Sequence, residues 1–241
     1  MAITVDVASL GTGFSSGIPA SLSLTTGSAV ASGGFIVLCV SQFSDTTTNM
    51  VSSFSGGGLS WTIDKNSTAG EASGKRIAWG SAQAPSGLAS GTSLTVNFAG
   101  GFAGIEVIIG GLSLLGVATS SPVDGTPQSI SDASASTYTT TAYTIQNGSI
   151  LLGAAVSDNT TGHSATTGTE AWERFISADA YAHAVTYRIE PTGGSFSVAG
   201  NFGTSGTITK CAIAYLAAAG GGPVTNEAAL RTAHTPVTWR T

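Results

Sequence analysis

The sequence predicts an all-β fold, an antiparallel two-sheet β-sandwich, and three observations predict it. From Met1 to Ala219 short runs alternate apolar and polar residues with a period of two, the signature of strands with one buried face. Clusters of Gly, Ser and Thr separate these runs at the spacing of turns between short strands. Finally, 41% of the 241 residues are hydrophobic and only 9% are charged, which suits a buried core under a surface of hydroxyls and glycine. A chain of this length could be one large all-β domain or two small ones; it is read as one sandwich over residues 1–219, followed by a flexible arm over 220–241.

The strands are expected in the order Ile3–Leu10, Ser21–Thr26, Phe35–Gln42, Ser60–Lys65, Arg76–Gln83, Ser93–Phe98 and Ile105–Leu115. Then follow Tyr143–Gln146, Ser149–Ser157, Glu170–Ile176, Tyr181–Ile189, Ser195–Ala199 and Thr207–Leu216. Asn147-Gly148 is the clearest hairpin turn, because a type I′ turn needs positive φ at both central residues. Pro85, Pro122 and Pro127 fall between strands, where a missing amide donor costs no ladder bond. The runs Phe35–Val40 and Ile150–Val156 are apolar throughout, so both of their faces must be covered, with a neighbouring subunit as one candidate cover. Ala178–Arg188 is rich in alanine, yet Tyr181, His183, Val185 and Tyr187 fall on one face at period two, which makes it a strand. Trp61, Trp79, Leu38, Val40, Ile108, Leu152, Val185 and Ile213 are the expected core.

Eight basic and 13 acidic residues give a net charge of −5. Without a basic stripe, nucleic acid is not an expected partner. The start Met1-Ala-Ile-Thr-Val-Asp reads as a first strand and not as a signal peptide. The apolar stretch Val107–Ala118 is too short and too interrupted by Gly110, Gly111 and Ser113 to span a membrane. Cys39 and Cys211 lie in apolar runs and are read as buried thiols, since a disulfide would need neighbouring strands and an oxidising compartment.

Chemically competent groups are few. Gly13-Phe-Ser-Ser-Gly17 matches the nucleophile-elbow pattern, but Ile18-Pro19 follows where that motif needs a helix. His163 sits in a polar loop, His183 on an apolar strand face and His234 in the tail; their spacing makes no metal signature, and no metal or other cofactor is expected. Glu106 interrupts an apolar strand and is read as structural; Asp45, Asp124 and Asp158 fall in loops without calcium-loop register. Glu170 and Glu173 flank Trp172, the tryptophan expected to be exposed, so these three form a candidate sugar platform. Trp61 and Trp79 lie inside strand patterns and default to the core.

The tail differs from the rest. Ala217-Ala-Ala-Gly-Gly-Gly-Pro223 breaks the last strand, Thr225–Ala233 has the pattern of a short capped helix, and Leu230, Val237 and Trp239 are apolar side chains needing a partner. Arg231 and Arg240 add positive charge beside them.

Read in order, Ile3-Thr-Val-Asp, Phe35-Ile-Val-Leu-Cys-Val, Gly57-Gly-Leu-Ser-Trp61-Thr, Arg76-Ile-Ala-Trp79, Ala84-Pro-Ser-Gly87, Ser93-Leu-Thr-Val-Asn-Phe98, Ser120-Ser-Pro-Val-Asp124, Gly148-Ser-Ile-Leu-Leu-Gly-Ala-Ala-Val156 and Ala212-Ile-Ala-Tyr-Leu form a pattern. Over residues 3–218 it resembles a jelly-roll-like β-sandwich module recurrent in bacteriophage virion proteins and in repetitive bacterial surface proteins. It departs from that module at Leu112–Leu115, where a more open turn is common. The resemblance implies a virion protein, foremost a capsid decoration protein. No enzyme is expected, since no nucleophile–base pair, metal cluster or phosphate loop is supported. Homo-oligomers are expected from the doubly apolar strands and low charge. The chain's partners would be further copies of itself and major capsid or tail proteins. The tail lies outside the resemblance, and its own apolar and basic side chains, Leu230, Arg231, Val237, Trp239 and Arg240, are the expected gripping residues. The alternative is a carbohydrate-binding or adhesin module of a tail, neck or fibre, meeting a host-surface glycan through Trp172, Glu170 and Glu173.

Overall fold

The computed structural model describes residues 2–17, 19–43, 49–68, 71, 74–100, 106–158, 162–176 and 181–219. The expected arm, with Leu230, Arg231, Val237, Trp239 and Arg240, lies outside them. Within them every regular element is a strand and every pairing is antiparallel.

The first half contains β1 (Thr4–Ser16), β2 (Ser21–Thr25), β3 (Gly34–Phe43), β4 (Val51–Gly56), β5 (Trp61–Lys65), β6 (Lys75–Ala84), β7 (Ser93–Phe98) and β8 (Glu106–Leu115). They form a large sheet ordered β1-β8-β3-β6-β5 and a small one ordered β2-β7-β4. This is a jelly-roll order, with β5 kept beside β6 by their hairpin. The second half contains β9 (Gln128–Thr139), β10 (Tyr143–Ile145), β11 (Ile150–Ser157), β12 (Ser164–Thr167), β13 (Thr169–Ile176), β14 (Tyr181–Ile189), β15 (Gly194–Phe196) and β16 (Ala199–Tyr215). Its large sheet runs β9-β16-β11-β14-β13, and β10 pairs with β15. Adding eight to each strand number of the first large sheet reproduces the second. The antiparallel β-sandwich expected from the sequence is present, but as a duplicated unit and not as one two-sheet sandwich over residues 1–219.

Individual hydrogen bonds repeat with the strands. Gly33 N–H donates to Ala84 O at 3.0 Å, and Gly148 N–H to Glu190 O at 3.0 Å. Gly34 N–H donates to Ala31 O, and Ser149 N–H to Gln146 O. The bridge between Val30 and Leu88 corresponds to the pairing of Ile145 with Gly194. Gly33 and Gly148 both turn with positive φ, 79° and 77°, which a side chain would resist. The halves differ at β12, which leaves the small sheet to pair with β16.

The two large sheets face each other. Between them lies the main core, with Phe35, Val37, Trp79 and Leu112 from one half meeting Leu152, Val185, Ile213 and Tyr215 from the other. The opposite face of the first large sheet buries Ile36, Leu38, Val40 and Ile109 against Leu24, Phe54, Leu94 and Val96 of the small sheet. On the far face of the second, Leu151, Ala212 and Ala214 meet Tyr143, Ile145 and Val198. β3 and β11 are thus interior strands of a four-layer stack. Their continuous apolar runs are covered by the same chain, which corrects the thought of a neighbouring subunit. Each fully buried aliphatic side chain contributes about 1.5–3 kcal/mol, so a strand apolar on both faces stabilises the fold only if both layers arrive.

Other expectations need adjustment. Val51–Gly56, Gln128–Thr139 and Ser164–Thr167 are strands that the sequence reading passed over, because their Ser- and Thr-rich stretches carry a weak apolar alternation. β16 is one long strand that starts at Ala199, and β8 runs unbroken through Leu112–Leu115. Trp61 is half-buried, not fully buried, and donates its indole N–H to Gly56 O at 3.1 Å. The remaining expected core residues are fully buried.

Candidate functional site

The chemically richest cluster of the described residues lies at one end of the second half, where β12 turns into β13 at Gly168 (φ 92°). This turn brings the segment before β12 back beside β13, so His163, Glu170 and Glu173 converge. One ligand-capable atom of each lies within 4.8 Å of the others. His163 Nδ1 is 2.6 Å from Glu170 Oε2, and Glu173 Oε2 accepts the His163 backbone N–H at 2.6 Å. The second imidazole nitrogen, Nε2, lies 3.0 Å from the hydroxyl of Tyr138 on β9. The imidazole is almost fully enclosed, with its side chain 1% exposed, while Glu170 keeps 33%. Phe202 and Tyr138 flank the ring. Beneath it is Gly200 on β16, where a Cβ would stand 2.1 Å from His163 Nε2. A glycine is required there for the ring to fit.

No metal-ligand motif in the sequence joins His163, Glu170 and Glu173, although each is a candidate on its own. In the sequence His163 falls in a polar stretch, and Glu170 and Glu173 flank Trp172. One signal was available: His163 and Glu173 stand at equal sequence distances from Gly168, as residues opposed across a turn would.

The expected exposure of Trp172 is not found. Trp172 is 5% exposed and belongs to the main core, where its ring meets that of His183 edge to face at 4.7 Å between centroids. The bulge in β13 between Glu170 and Trp172 turns the indole inward, while Glu173 points outward. Among the described residues every aromatic side chain is buried or half-buried.

A second polar group sits in the middle of the main core. His183 Nδ1 is 2.8 Å from Ser41 Oγ, which accepts the Tyr181 hydroxyl at 2.8 Å, and His183 Nε2 lies 3.5 Å from Cys39 Sγ. Burial pushes His183 down to about 3, aided by the nearby His163, and pushes the Cys39 thiol well up. Both groups are neutral, the reverse of a reactive thiolate–imidazolium pair. Cys39 and Cys211 are free and buried, and Trp79 Nε1 donates to Cys211 Sγ at 3.3 Å.

The other acids act as braces. Asp124 is buried, accepts from Gln146 N–H at 2.7 Å and Ser149 Oγ at 3.0 Å, and so ties its loop to the start of β11. Asp158 pairs with Lys75 and accepts the Thr207 amide. Glu71, fully buried, pairs with Lys65 and accepts the Ile77 amide at 3.0 Å. Gly13–Gly17 lies at the end of β1 with no helix after it, and Asp45 lies outside the described residues. No helix of the described residues is long and apolar enough to cross a membrane.

Tyr138, His163 and Glu170 form a hydroxyl–imidazole–carboxylate chain. It is not set up for nucleophilic attack, because burial raises the Tyr138 pKa and the hydroxyl is enclosed.

No family model and no curated protein matches the chain. Similar solved structures include one described as "BspA_C_mut", 10% identical with a TM-score of 0.20 over 82% of this chain and 84% of that one. Two oxalate decarboxylase structures are each 7% identical, with TM-scores of 0.15 and 0.17, over 88% and 90% of this chain and 76% and 78% of theirs. Likenesses this slight carry neither fold nor function across.

Proposed function

We propose that this chain is a structural protein of a bacteriophage virion, a capsid decoration or cement protein that acts through contacts with other virion proteins and with copies of itself, and not as an enzyme. The observation that carries the reading is the duplicated jelly roll stacked through its two large sheets. Jelly rolls recur in viral shells and in lectins, and a fold alone does not fix a function. Between those two uses, the burial of Trp172 favours the shell, since it removes the aromatic platform that the glycan-binding alternative needs. The near absence of charge, 9% of residues, suits contacts driven by shape. Because β3 and β11 are covered within the chain, the gripping elements would be exposed sheet edges together with Leu230, Arg231, Val237, Trp239 and Arg240.

Mass spectrometry of purified particles tests this. Hundreds of copies per particle are expected for a head lattice. A few copies would move the protein to a neck or fibre, and its absence from particles would overturn the reading.

A further inference from the structure

We infer that His163, Glu170 and Glu173 form a binding site for one divalent transition-metal ion, with zinc the best match. The donor set is one imidazole nitrogen and two carboxylates, which is a ligand set zinc takes with water completing four-coordination. Zinc holds such donors at about 2.0–2.2 Å, so neighbouring donors stand roughly 3.3 Å apart around it. The three groups here already fall within 4.8 Å of one another. Entry of the ion needs the direct contact between His163 Nδ1 and Glu170 Oε2, 2.6 Å, to open by less than an ångström or so, and any wider donor pair to close from at most 4.8 Å by a side-chain rotation. Glu173 can keep its hydrogen bond to the His163 amide through Oε2 and turn Oε1 to the ion.

Two further observations point to a cation. Among the described residues neither carboxylate has a Lys or Arg within ion-pair distance, so their converging charge meets only the imidazole. The imidazole is also already braced as a ligand should be. Metal-bound histidine donates its other N–H to an oxygen that fixes ring and tautomer. Here His163 Nε2 faces the buried Tyr138 hydroxyl at 3.0 Å, and Gly200 leaves the room that holds the ring in that orientation. Binding through Nδ1 would place the proton on Nε2, donated to Tyr138.

The site belongs to the second half alone. In the matching register of the first half, Ile63 faces Gly80 as Glu170 faces Thr186, so an apolar residue replaces a ligand. The ion would pin β13, an edge strand, and the segment before β12 to β9 through Tyr138.

The test uses the full chain without a histidine tag, stripped with chelator, carrying His234→Ala to remove the tail histidine. Equilibrium dialysis against zinc with elemental analysis should give one equivalent per chain, and zinc should raise the unfolding temperature. The double variant Glu170→Gln/Glu173→Gln keeps size and hydrogen-bonding capacity, and should lose both effects. Tyr138→Phe should retain the stoichiometry but weaken affinity about tenfold or more. Failure of the unsubstituted site to bind zinc, or equal binding by the glutamine variant, overturns the inference. Unchanged affinity in Tyr138→Phe overturns the positioning role of Tyr138.

Discussion

Acid should destabilise this protein through His183, the imidazole held neutral in the main core. Its folded-state value lies near 3, chiefly from burial, against an ordinary value of 6.5. The unfolded chain therefore takes up a proton as pH falls through 6.5, and the folded chain does not follow until about 3. Stability is complete above the unfolded value, falls at up to about 1.4 kcal/mol per pH unit within the window, and levels off below the folded value. Between pH 7.5 and 5 the loss works out at about 2 kcal/mol. Urea unfolding across that range measures it. The comparison is His183→Gln, which keeps an amide within reach of Ser41 but cannot titrate. The variant is expected to be less stable at neutral pH and to have the smaller slope, because glutamine takes up no proton in either the folded or the unfolded chain. Equal pH slopes in the two proteins would refute the idea that His183 is buried neutral, and would place the acid sensitivity elsewhere.

Other expectations concern packing and assembly. Gly110→Ala puts a Cβ 2.4 Å from the Trp172 ring inside the stack, and should cost about 1–3 kcal/mol by thermal unfolding. Trp172→Ala should cost about 3–5 kcal/mol of stability through the lost core volume while leaving any glycan-array signal unchanged, the opposite of a platform residue. Glu71→Gln leaves the Lys65 ammonium buried without its counter-charge and should lose about 3–5 kcal/mol in urea; a loss under about 1 kcal/mol would mean that water reaches the pair. Deleting residues 222–241 should leave the sandwich folded and weaken loading onto particles, with Trp239→Ala giving much of that loss, about 2 kcal/mol if it anchors an interface. Equal loading of the truncated chain would make the tail a passenger.

The sequence by itself determined that the chain is antiparallel β. It also marked which runs are interior, because alternation with period two and the turn chemistry at Asn147-Gly148 are local properties. Only the tertiary structure decided what covers those runs. A strand such as Phe35–Val40 records that both faces are dry, but nothing in it says that one face meets the small sheet and the other meets Leu152 and Val185 more than 100 residues away. The duplication was hidden for a related reason. Register places Phe35 with Ile150, Gln83 with Ile189 and Leu114 with Tyr215, so the spacing of equivalent positions shrinks from 115 to 106 to 101 residues and no fixed period survives. Core positions ask only for an apolar side chain of fitting volume, which lets identity drift while topology stays. Trp172 looked exposed because charged residues bracket it, and the bulge beside Glu170 reversed that side chain's face. His163 and its two glutamates are separated by a turn, and their convergence depends on Tyr138 and Gly200, side-chain and backbone contacts that the second large sheet assembles only when β9 and β16 pair.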